Sequence, residues 1–281
     1  MTEPHPLTTL WRLWRQYRRG AEPEPYAVVR ARVAPTATRV GRLQQLVGAS
    51  PSRLPSPTLP LVAPALWEPA VLLEAVVRHL GRLPMRGLLH LTHEFVAVRE
   101  APLTGLYDVE ARVAHAARGR RGLELHLTAT TYSASGDLCW DNRAHLLVPE
   151  AARSRSDTPT SAGPCDDETA WIPGPVWELR PALARRYAFL SGDFNPIHLS
   201  RWTARLFGFD RPILHGYCLA ALAAQAWTEL EGHPPRRLAV RFRRPVRLPA
   251  RLRFERAAVD PRRFRARPVP EGRPCLEGEA S

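Results

Sequence analysis

One pattern occurs twice along the sequence, and this repeat limits the folds that the chain can adopt. In the second half, Pro212 opens a segment with helical apolar spacing, and a strand-like segment containing Phe242 follows it. Pro64 and Phe95 hold the corresponding places in the first half; the separations are 30 residues in the second half and 31 in the first. In both halves a turn and a second alternating segment come next. The repeat predicts a duplicated α+β unit, in which a long helix is wrapped by its own antiparallel sheet.

A polar segment rich in serine, proline and aspartate separates the two copies. It spans residues 150–170 and is typical of a linker. The sequence therefore predicts five parts, namely an N-terminal extension (1–24), a first unit (25–149), the linker (150–170), a second unit (171–268) and a flexible tail (269–281).

The composition is that of a folded protein without a membrane span. Apolar residues make up 44% of the 281 residues, and no apolar run reaches the roughly 18 residues that a spanning helix needs. The first residues contain no apolar signal-peptide core. The four cysteines form no CxxC pair, so neither zinc ligation nor a disulfide framework is expected. We therefore expect a cytoplasmic protein with no metal site and no stable membrane insertion.

The basic residues are unevenly distributed. Net charge is +13, and all 40 basic residues are arginine. Thirteen of them lie in the basic stretch 236–267, which contains only two acidic residues, Glu255 and Asp260. Because guanidinium groups pair well with phosphate, the stretch predicts either a docking surface for a phosphorylated or acidic partner or a solvated strand face. It alternates like a strand and matches no nucleic-acid-binding motif, so no nucleic-acid partner is expected.

The motif LSGDFNPIH at 190–198 places two titratable side chains, Asp193 and His198, on irregular backbone. Its Asn-Pro pair prevents a helix from continuing through it. When the two copies are aligned, the first copy keeps a glycine and a proline. It has Ala49 at the position of Asp193, and Arg53 or a neighbour at the position of His198. A turn that served only the fold would be retained in both copies, so we interpret the motif as an active site.

The residue types suit general acid–base chemistry on one water molecule. Asp193 and His198 could both hold this water and act as base and acid. Gly216 lies at the start of the second long helix, where backbone N–H groups are unpaired, and its lack of a side chain lets a carbonyl group approach. Such an N–H would stabilise an enolate-like oxygen. The combination predicts addition of water to a conjugated carbonyl compound, or the reverse reaction.

Other interpretations of these residues have weaker support. Ser191 is not in the G-x-S-x-G arrangement of a serine hydrolase. Metal ligation by His215 together with the two acid–base candidates matches no metal-binding spacing, and His215 is interpreted as a support of the turn. His90 and His93 are interpreted as ordinary strand residues.

Residues 187–226, which contain SGDFNPIH and then PILHG, resemble the signature of the MaoC-like hydratases, the (R)-specific enoyl-CoA hydratases and 3-hydroxyacyl-thioester dehydratases. The resemblance implies a double hotdog, an α+β fold in which two long central helices are each wrapped by a curved antiparallel sheet. In that family, the residues matching Asp193 and His198 bind the catalytic water. The glycine matching Gly216 donates its N–H to the thioester carbonyl, and the asparagine matching Asn195 holds the loop.

The resemblance also implies an activity, the reversible hydration of trans-2-enoyl thioesters to (R)-3-hydroxyacyl thioesters. The substrate would be carried by coenzyme A or acyl carrier protein, no cofactor would be needed, and the protein would be a monomer or a homodimer. The first unit would be non-catalytic and the second catalytic. Two alternatives stay open: a catalytically silent hotdog that binds acyl thioesters or a protein partner, and a thioesterase.

Further substrate contacts are predicted around the motif and in the basic stretch: Tyr187, Ser191, Asn195, His215, Arg241, Arg243 and Arg244. In the first unit, the apolar, proline-rich segment 46–66 is predicted to line a tunnel for the acyl chain, with Leu59 and Leu61 in its wall. The basic N-terminal segment is predicted to contact a membrane or a partner, or to dock on its own domain.

Overall fold

The computed structural model describes residues 20–49, 57–82, 88–149, 169–270 and 272–281. The basic N-terminal segment, most of the predicted linker and the position of Arg53 lie outside these residues. Within the described ranges, no helix combines the length and apolar character that crossing a membrane requires.

Among the described residues, each half contains one long helix, five strands and shorter helical segments. The first half consists of β1 (Val29–Val33), α1 (Ala37–Leu46), a 3-10 turn (Ala63–Leu66), α2 (Glu68–Leu80), β2 (Leu89–Val96), β3 (Tyr107–Gly119), β4 (Gly122–Ser133) and β5 (Leu138–Pro149). The second half consists of β6 (Trp171–Leu179), α3 (Pro181–Ser191), a 3-10 turn (Pro196–His198), α4 (Arg201–Leu206), α5 (Gly216–Glu231), β7 (Arg237–Phe242), β8 (Ala250–Ala257), β9 (Arg263–Pro268) and β10 (Leu276–Ala280).

The strands form one sheet, not two separate ones. Its order is β1-β3-β4-β5-β2-β7-β10-β9-β8-β6, and neighbouring strands are antiparallel. The second half repeats the strand order of the first in mirror image about the β2–β7 pair, where His93 faces Val240. The five strands predicted around each long helix are thus joined edge to edge with those of the other half into one continuous sheet. Pairing β2 with β7 satisfies two strand edges that would otherwise be unpaired.

The prediction of a flexible tail over 269–281 is wrong, because β10 lies in this range and pairs with β7 on one side and with β9 on the other. The second unit therefore continues beyond residue 268. In the duplicated plan β10 is the counterpart of β5, and without it both neighbours would have unpaired edges. Its sequence LEGEA gives a weak strand signal because it contains a glycine. A side chain at Gly278 would collide with the carbonyl oxygen of Ala239 and the ring of Phe264.

The long helix of the second half is the centre of the core. Ten residues of α5 are buried, and five of these are alanine. Burial on most sides of a helix indicates that other elements surround it, and small side chains let them approach closely. The buried apolar residues of both halves form one continuous cluster. The helix ends at Gly232, which adopts a left-handed conformation with φ of 82°.

Candidate active site

The motif loop begins where α3 ends at a glycine. Gly192 adopts φ of 80°, a left-handed conformation that glycine tolerates best, and its N–H donates to Ala188 O at 2.8 Å. In the first half Gly48 follows α1 with φ of 83°. The two glycines thus occupy matching places, and the next residue is Asp193 in one half and Ala49 in the other.

Short-range hydrogen bonds fix the Asp193 turn. The Asn195 N–H donates to Asp193 Oδ1 at 3.2 Å, and Asn195 Oδ1 accepts from the Ile197 N–H at 3.4 Å. Asn195 thereby caps the 3-10 turn that carries His198. These are the bonds through which Asp and Asn side chains stabilise turns. Asn195 holds the loop, as the resemblance implies.

His198 is buried and oriented by a backbone carbonyl. Its Nδ1 lies 2.8 Å from Ile213 O. Because a carbonyl oxygen only accepts, Nδ1 carries the proton and Nε2 is left with a lone pair. Burial lowers the pKa of His198 below its ordinary value of 6.5, against the opposing influence of Asp193. The ring is therefore a neutral acceptor at pH 7.

His215 connects the two parts of the motif loop. It precedes α5, its ring stacks on His198 with centroids 3.7 Å apart, and its Nε2 donates to Asp193 O at 3.0 Å. Burial, and after it the neighbouring His198, hold the pKa of His215 well below 6.5. His215 thus supports the turn, as predicted, and contacts the backbone of one candidate residue and the ring of the other.

Gly216 begins α5, and the space beside its Cα is narrow. A Cβ at this position would lie 3.1 Å from Phe242 Cζ and 3.3 Å from His90 Nδ1. Any side chain would occupy the approach to the unpaired N–H groups at the helix start. His90, which the sequence reading treated as an ordinary strand residue, therefore reaches this position from the first half.

The structure brings three potential ligand groups together. Ligand atoms of Asp193, His198 and His215 all lie within 4.8 Å of one another. A water that accepts or donates bonds of about 2.8 Å can connect two groups at this separation. The same spacing suits a metal ion, although each imidazole already directs one nitrogen at a backbone carbonyl.

Tyr187 and Ser191 use their hydroxyl groups within the protein. The Tyr187 hydroxyl donates to Ala65 O at 2.7 Å, and the Ser191 hydroxyl donates to Tyr187 O at 2.9 Å. Ser191 Oγ also accepts from the Asp193 N–H at 3.2 Å. Both side chains are buried. These bonds position the loop against the first half, and substrate contact by either hydroxyl stays a prediction.

Arg39 of the first half also reaches the end of α3. Its Nε donates to Leu190 O at 2.9 Å and its Nη2 to Leu66 O at 2.7 Å. The first half therefore holds the backbone immediately before the motif loop. Sequence reasoning missed this residue because a lone arginine in a helix gives no signal of a contact 151 residues away.

The predicted arginines do not join this cluster. Phe242 of β7 packs at Gly216, and strand alternation places Arg241 on the opposite face of the sheet. Arg243 forms an ion pair with Glu277 at 2.6 Å, and the backbone N–H of Arg244 bonds to Cys275 O at 3.4 Å. Contact of Arg241, Arg243 and Arg244 with substrate stays a prediction for a part of the ligand outside the cluster.

Carboxylates from inside and outside the basic stretch pair with many of its arginines. Arg265 and Arg267 both bond to buried Glu255, at 2.7 and 2.8 Å, and lower the pKa of its carboxyl group against the effect of burial. Further pairs join Arg237 to Glu94, Arg247 to Asp210, Arg251 to Glu178, Arg256 to Glu231 and Arg262 to Asp260. The stretch is thus far less positive than its local sequence suggests.

A buried polar network lies beside the site and was missed in the sequence. Glu68, fully buried at the first position of α2, accepts from Asn142 Nδ2 at 2.5 Å and from the Tyr217 hydroxyl at 3.1 Å. His93 Nε2 lies 3.4 Å from the same carboxylate, and the ring of His90 packs on Tyr217. The interpretation of both histidines as ordinary strand residues is wrong. The repeat offered a signal, because Glu68 and Gly216 each begin the long helix of their half.

Comparisons with known proteins show which sequences and folds the chain resembles. Residues 156–273 match the model of the MaoC like domain family. The 3-hydroxyacyl-thioester dehydratase X of Mycobacterium tuberculosis is 34% identical over 166 residues, which cover 58% of this chain and 57% of that protein. The chain thus spans less than two thirds of the length of this curated relative.

Solved structures extend the match to most of the chain. The crystal structure of HtdX of Mycobacterium tuberculosis aligns with a TM-score of 0.73 and 25% identity, over 90% of this chain and 99% of that one. A Mycobacterium tuberculosis protein described as having a double hotdog fold aligns with a TM-score of 0.61 and 15% identity, over 92% and 95% of the two chains. The predicted family resemblance and fold are confirmed. The chain therefore has the double hotdog fold, and its residues 156–273 resemble the MaoC like domain family.

Proposed function

We propose that the protein hydrates trans-2-enoyl thioesters to (R)-3-hydroxyacyl thioesters and catalyses the reverse dehydration. The observation that carries the proposal is that ligand atoms of Asp193 and His198 lie within 4.8 Å of each other and of His215, the residue directly before Gly216 at the start of α5. The dehydratase named among the relatives supports the reaction class.

In the proposed mechanism, Asp193 and His198 hold one water between them. Neutral His198 presents the lone pair of Nε2, and the carboxylate of Asp193 is a second acceptor, so the water donates one hydrogen bond to each. This fixes the water oxygen for attack on C3 of the enoyl group. The proton that the pair removes from the water is returned to C2, so that hydroxyl and hydrogen are both added.

The start of α5 would bind the thioester oxygen. As the water attacks C3, negative charge develops on this oxygen, and the N–H of Gly216 together with the positive end of α5 would stabilise it. Phe242 and His90 lie close to where a side chain at position 216 would stand, so glycine keeps this N–H free of a side chain of its own.

The first half would hold the acyl chain. A cavity of about 370 Å³, open to solvent, lies beside α1. Small or apolar residues and polar residues both line it: Ala37, Thr38, Gly41, Arg42, Gln44, Gln45 and Leu103. Leu59 and Leu61, the predicted tunnel residues, are themselves buried in the core, so bulky substitutions there would disturb packing as well as binding. A larger side chain at Gly41 would shorten the cavity from the α1 side with less effect on packing, because no atom lies within 4 Å of where its Cβ would stand.

The deciding experiment follows the ultraviolet absorbance of the enoyl group with crotonyl-, octenoyl- and dodecenoyl-CoA, alongside release of free thiol. Hydration removes the enoyl absorbance without releasing thiol, and Asp193→Asn should abolish it. Thiol release with retained absorbance would establish a thioesterase instead. Binding without either change would establish a silent acyl-thioester module. Faster turnover of the longer substrates, reduced selectively by Gly41→Leu, supports the acyl site in the first half.

A further inference from the structure

Three histidines form a row across the sheet of the first half, away from the motif loop in sequence. His115 on β3 faces His126 on β4, which in turn faces His145 on β5. Directly opposed residues of antiparallel strands share a face, with Cβ atoms about 4.5–5.5 Å apart. The rings of His126 and His145 stack with centroids 4.1 Å apart and planes 14° apart, and the His115 ring is 5.8 Å from that of His126.

A carboxylate completes this cluster. Glu124 precedes His126 by two residues on β4, so it lies on the same face. Its Oε2 is 3.1 Å from His145 Nε2, and Arg121 lies 3.5 Å from its Oε1. Ligand atoms of Glu124, His126 and His145 all lie within 4.8 Å of one another.

The His145 ring and the Glu124 carboxylate face each other inside the cluster. His145 Nε2 is shielded from solvent and lies 3.1 Å from Glu124 Oε2. An ion placed between these two groups would be bound by both. His126, by contrast, is exposed, so an ion can reach the cluster from solvent.

We propose that Glu124, His126 and His145 bind one divalent transition-metal ion, of which Zn²⁺ suits two imidazoles and a carboxylate best. Zn²⁺ holds nitrogen and oxygen ligands at about 2.0–2.2 Å, so tetrahedral ligand atoms stand about 3.3–3.5 Å apart. Small side-chain rotations close the difference from the present separations. His115 or a water takes the fourth position. The proposal departs from the expectation of no metal site, which rested on the spacing of the cysteines and of Asp193, His198 and His215.

The bound ion would join β4 to β5. Because the unfolded chain does not present these ligands together, binding stabilises the folded state in proportion to metal concentration and affinity. Asp193, His198 and His215 meet the same distance criterion, so a test must distinguish the two clusters.

The test is a calorimetric titration of the full chain, produced without a polyhistidine tag, with Zn²⁺. We expect one site per chain in the wild type. His126→Ala and Glu124→Gln should each weaken binding at least tenfold, while hydration activity stays unchanged. His233→Ala removes an exposed histidine outside the cluster and should bind as the wild type does. Added Zn²⁺ should raise the melting temperature of the wild type but not that of the His126→Ala/His145→Ala double variant.

Two results would overturn the proposal. The first is the absence of Zn²⁺ binding to a correctly folded wild-type chain. The second is unchanged binding by the double variant together with loss of binding in His198→Ala, which would assign the ion to the motif loop. Circular dichroism of each variant verifies the fold, and exposed His126 offers a substitution with little effect on packing.

Discussion

At the scale of single residues, Asp193 and His198 are held by different means. Asp193 is fixed by bonds within its own turn and by the His215 ring, which donates to its backbone carbonyl. His198 depends on the carbonyl of Ile213 and on the stacked ring of His215. A change in the α4–α5 connection would therefore move His198 and also remove one support of the Asp193 turn. The two residues act as one unit only when both supports are intact.

The first prediction tests whether the pair acts on one water. Asp193→Asn and His198→Ala should each lower kcat by about 10² or more, the scale of a general acid–base group. Because both residues would hold the same water, the double variant should lose much less than the product of the two single losses. Steady-state kinetics of all four proteins gives the answer. Losses that multiply would contradict a shared water.

The second prediction concerns pH. His198 must be neutral to accept a proton, and its pKa in the folded protein lies below 6.5. The acid limb of the kcat/KM profile should therefore lie below pH 6.5. In the unfolded chain His198 has its ordinary pKa and binds a proton more readily than in the folded protein, so the free energy of unfolding should decrease as pH falls through 6.5. His90 and His215 should add to this decrease, because burial lowers their pKa values further. An acid limb above 6.5, or stability that rises on acidification, would contradict this assignment.

Sequence reasoning identified the part of the site that local chemistry determines. Asp193, Asn195 and Gly216 lie in turns or at a helix start, where residue type and position are directly linked. Glu68 was not identified, because its partners Asn142 and Tyr217 lie 74 and 149 residues away. Such contacts depend on how the two halves pack against each other. No short sequence pattern predicts this packing.

At the scale of elements, the long helices and central strands were predicted because their apolar periodicity extends over many residues. The strand β10 was missed because it is short, and Gly278 is required there by the close approach of β7 and β9. The seam between β2 and β7 was missed for a different reason. Periodicity shows that a strand exists but not which strand lies beside it.

The third prediction concerns the network at the start of α2. Glu68→Gln replaces an acceptor oxygen with a donor group that faces Tyr217, Asn142 or His93, so at least one buried bond is lost. We expect the free energy of unfolding to decrease by about 1–3 kcal/mol, the cost of an unsatisfied buried polar group. Chemical denaturation measures this change. Glu229→Gln, at an exposed position of α5, is the control and should leave stability nearly unchanged.

The fourth prediction concerns the contact between α1 and the end of α3. Arg39→Met keeps much of the side-chain length but removes the bonds to the carbonyl groups of Leu190 and Leu66. We expect kcat to fall several-fold while KM changes little, because the backbone before the motif loop loses its support. Arg185→Met, at an exposed position of α3, is the matched control. Equal effects of both changes would show that Arg39 does not position the loop.

At the scale of the whole molecule, charge is distributed differently from what the basic stretch suggests. Carboxylates from several elements pair with its arginines, whereas Arg241, Arg244 and Arg253 form no ion pair with any described residue. Of these three, Arg241 and Arg244 are the residues that the sequence predicted to contact substrate, and they are our candidates for recognition of a phosphorylated carrier. Any such recognition should be sensitive to salt, since exposed charges are screened over about 8–10 Å at physiological ionic strength.

The fifth prediction follows from this distribution. Reversing Arg241 and Arg244 to glutamate should raise KM for the carrier-bound substrate at low salt and flatten its salt dependence, with kcat nearly unchanged. Arg262→Glu, which removes the exposed pair with Asp260 in a turn, is the control. Steady-state kinetics across a salt series measures the effect. An unchanged KM at low salt would leave these arginines with a structural role in a solvated face.

The seam between β2 and β7 has a consequence for how the gene tolerates mutation. Each half covers a strand edge of the other, so neither is expected to persist alone in a cell without exposing a template for aggregation. A substitution deep in the first half that shifts the folding equilibrium by 1–2 kcal/mol would lower the abundance of the whole chain. Genetic loss of activity would then map to both halves almost equally. A survey of inactivating mutations would therefore show that the two halves depend on each other for stability more clearly than it would show which residues are catalytic.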